Sequence, residues 1–158
     1  MSSSLPNTND LFDTAKIILS RSVGKWRSYR RYLFLDQDHK CSNMIQEFEI
    51  IERSEGIYNI KTAHGFEMNV ELAVEAAKLI LRRDRNYVDN SPGTESPVHV
   101  IDNNTILVAS TYGSPLTTYR EEIRLVGGDN YRQRQTVGCL TGTTDPVIVG
   151  QYWEERLS

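Results

Sequence analysis

Residues 118–138 read TYREEIRLVGGDNYRQRQTVG, two alternating segments around a glycine pair. The content of Ile, Val and Tyr suits strands, and glycine supplies the positive φ of a tight reversal. Read as a hairpin with a three-residue loop, Gly127-Gly128-Asp129, the pairing sets Val126 opposite Asn130 and Glu122 opposite Arg134. Side chains alternate along a strand, so Arg120, Glu122, Arg124, Arg132, Arg134 and Thr136 then share one face, and Tyr119, Glu121, Ile123, Leu125, Tyr131 and Val137 the other. The second face can join a core. The charged strip is either the wetted face of an antiparallel sheet or the lining of a barrel that holds an anionic ligand. Arginine suits the latter task, because its planar fork grips a carboxylate at two points.

Working outward, short strands follow one another at turn-separated intervals. TILVASTY follows the turn Asp102-Asn103-Asn104, and PVIVGQYWEERL closes the chain. Upstream, KWRSYRRYLFL (25–35), NMIQEFEIIE and IYNIKT read as further strands. This spacing predicts an antiparallel sandwich or barrel. Two helices are expected beside it. Leu11, Ala15, Ile18 and Leu19 recur at helical spacing, with Asn9 or Asp10 as cap and Gly24 as stop. Within NVELAVEAAKLILRR, the Ala, Leu and Glu content favours a second helix around 70–82, while the β-rich surroundings leave strand open as the alternative for part of it. DNSPGTESP (89–97) reads as a loop and residues 1–8 as a disordered tail, leaving 9–158 as a single domain.

The 158-residue chain has 39% hydrophobic and 25% charged residues, ordinary for a soluble globular domain. A formal net charge of -3 gives no electrostatic basis for nucleic-acid binding, although Arg27, Arg30, Arg31 and Arg82, Arg83, Arg85 could bind anions locally. No apolar run reaches the ~20 residues of a membrane helix, and the N-terminus lacks a signal-peptide pattern, so an intracellular location is expected. Cys41 and Cys139 stand far apart, neither beside a histidine nor at a helix N-terminus, and read as incidental thiols. His39, His64 and His99 lack metal-ligand spacing, so no metal site is expected.

DNNTILVASTYGSPLTTYREEIRLVGGDNYRQRQT (102–136) resembles the C-terminal part of the S/U-type phycobiliprotein lyases: a strand ending in Tyr112, an acidic EEIRL strand, a short turn and NYRQR. GKWRSYR (24–30) is similar to the opening of that family's first strand, and QYWEERL to its last. The chain departs from the family pattern at Arg31-Tyr32, where a histidine pair is frequent, and at Leu125-Val126, where a tryptophan is common; residues 53–100 carry no recognisable likeness. The resemblance implies a divergent member with a lipocalin-like antiparallel β-barrel and an N-terminal helix. It implies a bilin substrate, phycocyanobilin or phycoerythrobilin, attached through sulfur to a cysteine of a phycobiliprotein α or β subunit in the cytoplasm or plastid stroma. Oligomeric state stays open: members of that family self-associate or pair with a related lyase subunit, and the sequence does not choose between a homodimer, such a pairing and a monomer.

Carried over position by position, the resemblance makes Glu122 the catalytic acid that holds the pyrrole nitrogens protonated. Arg132 would pair with a propionate, with Arg134 and Arg30 as further candidates, Thr136 as a hydrogen-bond donor, and Tyr112 and Trp26 shaping the pocket. Trp26 and Tyr112 read equally well as packing residues, and Glu154, Glu155 and Arg156 as ion pairs that close the barrel. Two other readings stay open: a non-catalytic carrier of a bilin or fatty acid, and a docking module whose charged strip faces solvent. A fatty-acid carrier has no use for an acid among its arginines.

Overall fold

From Gly24 onward the alternation of buried and exposed residues has a period of two, and every strand it defines finds a partner on both sides. In a computed structural model describing residues 7–85 and 93–158, helix α1 (Thr8–Arg21) precedes β1 (Gly24–Phe34), β2 (Lys40–Ser54), β3 (Ile57–Thr62), β4 (Glu67–Glu75) and β5 (Lys78–Arg83). There follow β6 (Glu95–Asp102), β7 (Thr105–Tyr112), β8 (Thr117–Val126), β9 (Tyr131–Leu140) and β10 (Pro146–Arg156). Each strand pairs antiparallel with the next, and β10 returns to β1, so the ten strands close into a barrel. Closure pairs the outermost strands with each other, so among the described residues every strand has a neighbour on both sides. This is the lipocalin-like architecture with an N-terminal helix.

The helix stops one end of the barrel. Its buried Ala15 and Ile18 pack with Met68, Val70, Leu72, Leu79, Leu81, Val98, Ile106, Val108, Ile123 and Leu125. Full burial of an aliphatic side chain such as Ile18 is worth about 1.5–3 kcal/mol, more than the surface ion pairs Lys16–Glu55 and Arg21–Asp129 contribute. Arg156 fastens the helix C-terminus from the other side, donating to the carbonyls of Val23 and Arg21, the kind of cation that complements unpaired helix carbonyls. Its guanidinium lies 4.4 Å from the ring centre of Trp26. The opposite end of the barrel, where β1, β3, β5, β7 and β9 terminate, is where the cavity opens.

Several expectations are corrected. Residues 70–82 are not a helix but the hairpin β4–β5, turning at Ala76 and Ala77 with φ of 50° and 59°. Leu72, Leu79 and Leu81 bury on its inner face, so the tertiary gain of completing the barrel overrides helix propensity. The helix cap is Asn7, whose side chain accepts from the Asp10 amide at 2.8 Å, rather than the expected Asn9 or Asp10. Thr8 therefore opens the helix and Asn7 caps it, while residues 1–6 of the expected tail lie outside the described residues. Of the expected loop 89–97, Glu95–Pro97 belong to β6 and 89–92 lie outside the described residues.

Candidate functional site

The β8–β9 loop has four residues, Gly127 to Asn130, and pairs Val126 with Tyr131 rather than with Asn130. One extra loop residue slides β9 by one position against β8, and with a side-chain period of two that changes which residues share a face. The observed register sets Leu125 opposite Arg132, Ile123 opposite Arg134 and Glu121 opposite Thr136. All six point into the barrel. Glu122 lies opposite Gln135 on the outer wall, with its carboxylate 3.1 Å from Arg124. The apolar side chains Ile123 and Leu125 set the inward parity of β8, and Glu121 shares it.

Three charged strands meet at the middle of the barrel. Glu154 of β10 is fully buried, and its Oε1 is 2.9 Å from Arg132 while its Oε2 is 3.2 Å from Arg134. Arg134 reaches Glu121 Oε2 at 3.3 Å. Burial alone would raise the pKa of both carboxyls, but the adjacent guanidiniums outweigh it and hold Glu154 and Glu121 below the usual carboxylate range. Two acids thus balance two arginines in a layer roofing the apolar floor. Beneath it, Trp26, Phe48, Ile50 and Tyr58 form a second apolar cluster. The indole of Trp26 donates to Ser22 O at 2.8 Å, and its ring lies under Arg132 at 5.5 Å.

Above this layer a cavity of about 480 Å³ opens towards the end of the barrel away from α1. That volume is within the ~300–1,000 Å³ typical of small-molecule sites. Aromatic walls come from Tyr32, Phe34, Phe66, Tyr112, Tyr119 and Tyr152, with Tyr112 and Tyr119 stacked at 4.6 Å. Gly150 is small by necessity, since a Cβ there would stand 2.9 Å from the Tyr152 hydroxyl. Polar groups converge on the cavity from Arg30, His64, Arg83, Glu121, Arg134 and Thr136. Arg30 Nε donates to Ser28 at 3.0 Å and its guanidinium lies 5.3 Å from the Tyr152 ring centre. Thr136 Oγ1 is buried and has no hydrogen-bond partner among the described residues.

Of the residues singled out in the sequence, Arg30, Arg134, Thr136 and Tyr112 line this cavity. Arg132 and Trp26 do not: both lie in the layers below, Arg132 engaged by Glu154 and Trp26 as a core aromatic. Glu122 is outside the barrel. The sequence gives Glu121 and Glu154 no part in ligand binding, yet one lines the cavity and the other organises its base. The signal for Glu121 was available in its parity with Ile123 and Leu125. In sequence Arg83 is legible only as part of a basic cluster, because the composition of its segment favours helix over the strand it forms. Cys41 is exposed, Cys139 partly buried, and both are free. Among the described residues, no helix is long and apolar enough to cross a membrane.

No family model matches the chain. In sequence it is 24% identical over 163 residues to "Putative chromophore lyase CpcV" of a Picosynechococcus species, covering 87% of this chain and 78% of that protein. Its fold is similar to the S-type phycobiliprotein lyase CPES from Guillardia theta, with a TM-score of 0.61 at 12% identity, over 97% of this chain and 94% of that one. It is also similar to a protein of unknown function from the DUF3598 family of Nostoc punctiforme (TM-score 0.60, 14% identity, 88% of this chain and 49% of that one). The chain resembles a chromophore lyase in sequence and an S-type phycobiliprotein lyase in fold, the same group its hairpin and GKWRSYR motifs resemble.

Proposed function

We propose that this protein is a phycobiliprotein chromophore lyase, binding a linear tetrapyrrole in the barrel cavity and promoting its thioether attachment to a cysteine of a phycobiliprotein subunit. The observation that carries the reading is one cavity holding a carboxylate kept ionised, Glu121, together with arginines in excess of its acids. A bilin presents the complement: pyrrole nitrogens that accept a proton, and propionates that need cations. Glu121, in place of Glu122, pairs with the pyrrole nitrogens. Arg30 takes a propionate, and Thr136 offers a hydroxyl. Arg134 tunes Glu121, while Arg132 holds Glu154 and acts through it.

Protonation of the tetrapyrrole withdraws electrons from its ethylidene group, making that carbon a better electrophile. The acceptor's cysteine sulfur bonds to it, the carbon–carbon double bond passes its electron pair into the ring, and the thiol proton is returned to the pigment. Nothing leaves, so the step is an addition. The cavity's part is to hold one conformer and one face of a flexible pigment towards the mouth. A fatty-acid carrier would have no use for Glu121.

The reading is tested by incubating the protein with phycocyanobilin and an apo-phycobiliprotein subunit, then following pigment that survives denaturing electrophoresis. Faster, single-product thioether formation with the protein present is expected. Binding of the pigment without acceleration would leave a carrier, and failure to bind it would overturn the bilin reading altogether.

A further inference from the structure

Arg83 ends β5, a strand in the part of the chain where the sequence carries no family likeness, and its guanidinium faces the cavity. Its Nη1 donates to Ser110 Oγ at 2.6 Å and approaches Ser96 Oγ at 3.5 Å, and the two hydroxyls bond to each other at 2.8 Å. Both serines are at least nine-tenths buried, at 0% and 5% exposure, so the guanidinium rests on a fixed polar shelf contributed by β6 and β7. No carboxylate lies within ion-pair distance of Arg83 among the described residues. The same holds for Arg30. In the closed strand order, β5 stands four strands from β1 on one side and six on the other, which places Arg83 nearly across the barrel from Arg30.

We infer that Arg83, seated on Ser96 and Ser110, is a second carboxylate-binding position, and that the cavity selects a ligand bearing two carboxylates held apart. The inference rests on the functional reading above and adds to it the residue that would take the second acid group. Burying one charge of a dicarboxylate against Arg30 while leaving the other unpaired would be costly, so two arginines on facing walls discriminate against monoacids and esters. A hydrogen-bonded guanidinium also loses less rotamer freedom when the ligand arrives.

The test is an absorbance titration of wild type, Arg83→Gln and Ser110→Ala with phycocyanobilin and with its dimethyl ester, alongside thermal unfolding of each variant. Loss of one charge-assisted bond predicts affinity for the diacid about tenfold weaker or more in Arg83→Gln, with the ester changed less than about twofold. Ser110→Ala, which keeps the charge but removes its seat, should show the same selectivity at smaller amplitude with a near-wild-type melting profile. Unchanged diacid binding in Arg83→Gln would overturn the inference. An equal loss for diacid and ester would also overturn it, assigning Arg83 to support of Glu121 instead. Failure of wild type to bind either form would sink the functional reading itself, and this inference with it.

Discussion

Glu154 bridges Arg132 and Arg134, one carboxylate oxygen to each, at 2.9 and 3.2 Å and with none of its surface exposed. Residues from two neighbouring strands thereby form the roof of the hydrophobic floor and the base of the cavity. Removing the acid leaves two guanidiniums facing each other in a dry interior. Glu154→Gln should destabilise the barrel by about 3–5 kcal/mol, the range for breaking one side of a buried ion pair, measured by urea unfolding at neutral pH.

The same pair of acids sets the response to low pH. Glu121 and Glu154 have folded-state pKa values below the ordinary carboxylate value of about 4.3, so the unfolded chain binds protons more readily than the folded one as pH falls. Their stabilisation is complete above the unfolded pKa and is lost as pH drops through the folded values. Wild-type urea midpoints should therefore hold between pH 7 and 5 and fall steeply below about pH 4. Glu154→Gln should start lower and fall less over the same window.

Much of the barrel was legible because strands with one buried face print a period of two. Arg132, Arg134 and Thr136 alternate with Gln133, Gln135 and Val137, so the inward set of β9 could be read directly. What failed was register. It depends on a loop length that Gly127-Gly128-Asp129-Asn130 leaves ambiguous, and a one-residue slip exchanges Glu121 for Glu122. Burial depth failed as well, since Trp26 and Arg132 share the inward face with the cavity residues yet lie below them along the barrel axis. Position along that axis follows from the stagger of ten strands and is not written in any one of them.

The β4–β5 turn was unreadable for a different reason. Ala76 and Ala77 both adopt positive φ, a conformation normally supplied by Asn-Gly. The double substitution Ala76→Asn, Ala77→Gly should stabilise the protein by about 1–2 kcal/mol, seen as a higher thermal midpoint, with the cavity unaffected. A loss of stability would mean that the alanine methyls contribute packing that outweighs the relief of backbone strain.

Helix α1 is a stopper that stabilises the barrel from the end away from the cavity mouth. Ile18 has no exposed surface and packs into the floor. Ile18→Ala should cost about 2–5 kcal/mol in unfolding free energy. Pigment affinity at temperatures well below the midpoint should stay within about twofold of wild type, as judged by the arithmetic of binding free energy.

The central claim is that Glu121 is the acid facing the ligand and Glu122 is not. It is tested by recording the absorbance of bound phycocyanobilin in wild type, Glu121→Gln and Glu122→Gln across one pH series. A red-shifted, protonated band is expected in wild type and Glu122→Gln, lost or blue-shifted at neutral pH in Glu121→Gln alone. Loss of that band in Glu122→Gln with Glu121→Gln unchanged would contradict the register on which the whole site is built.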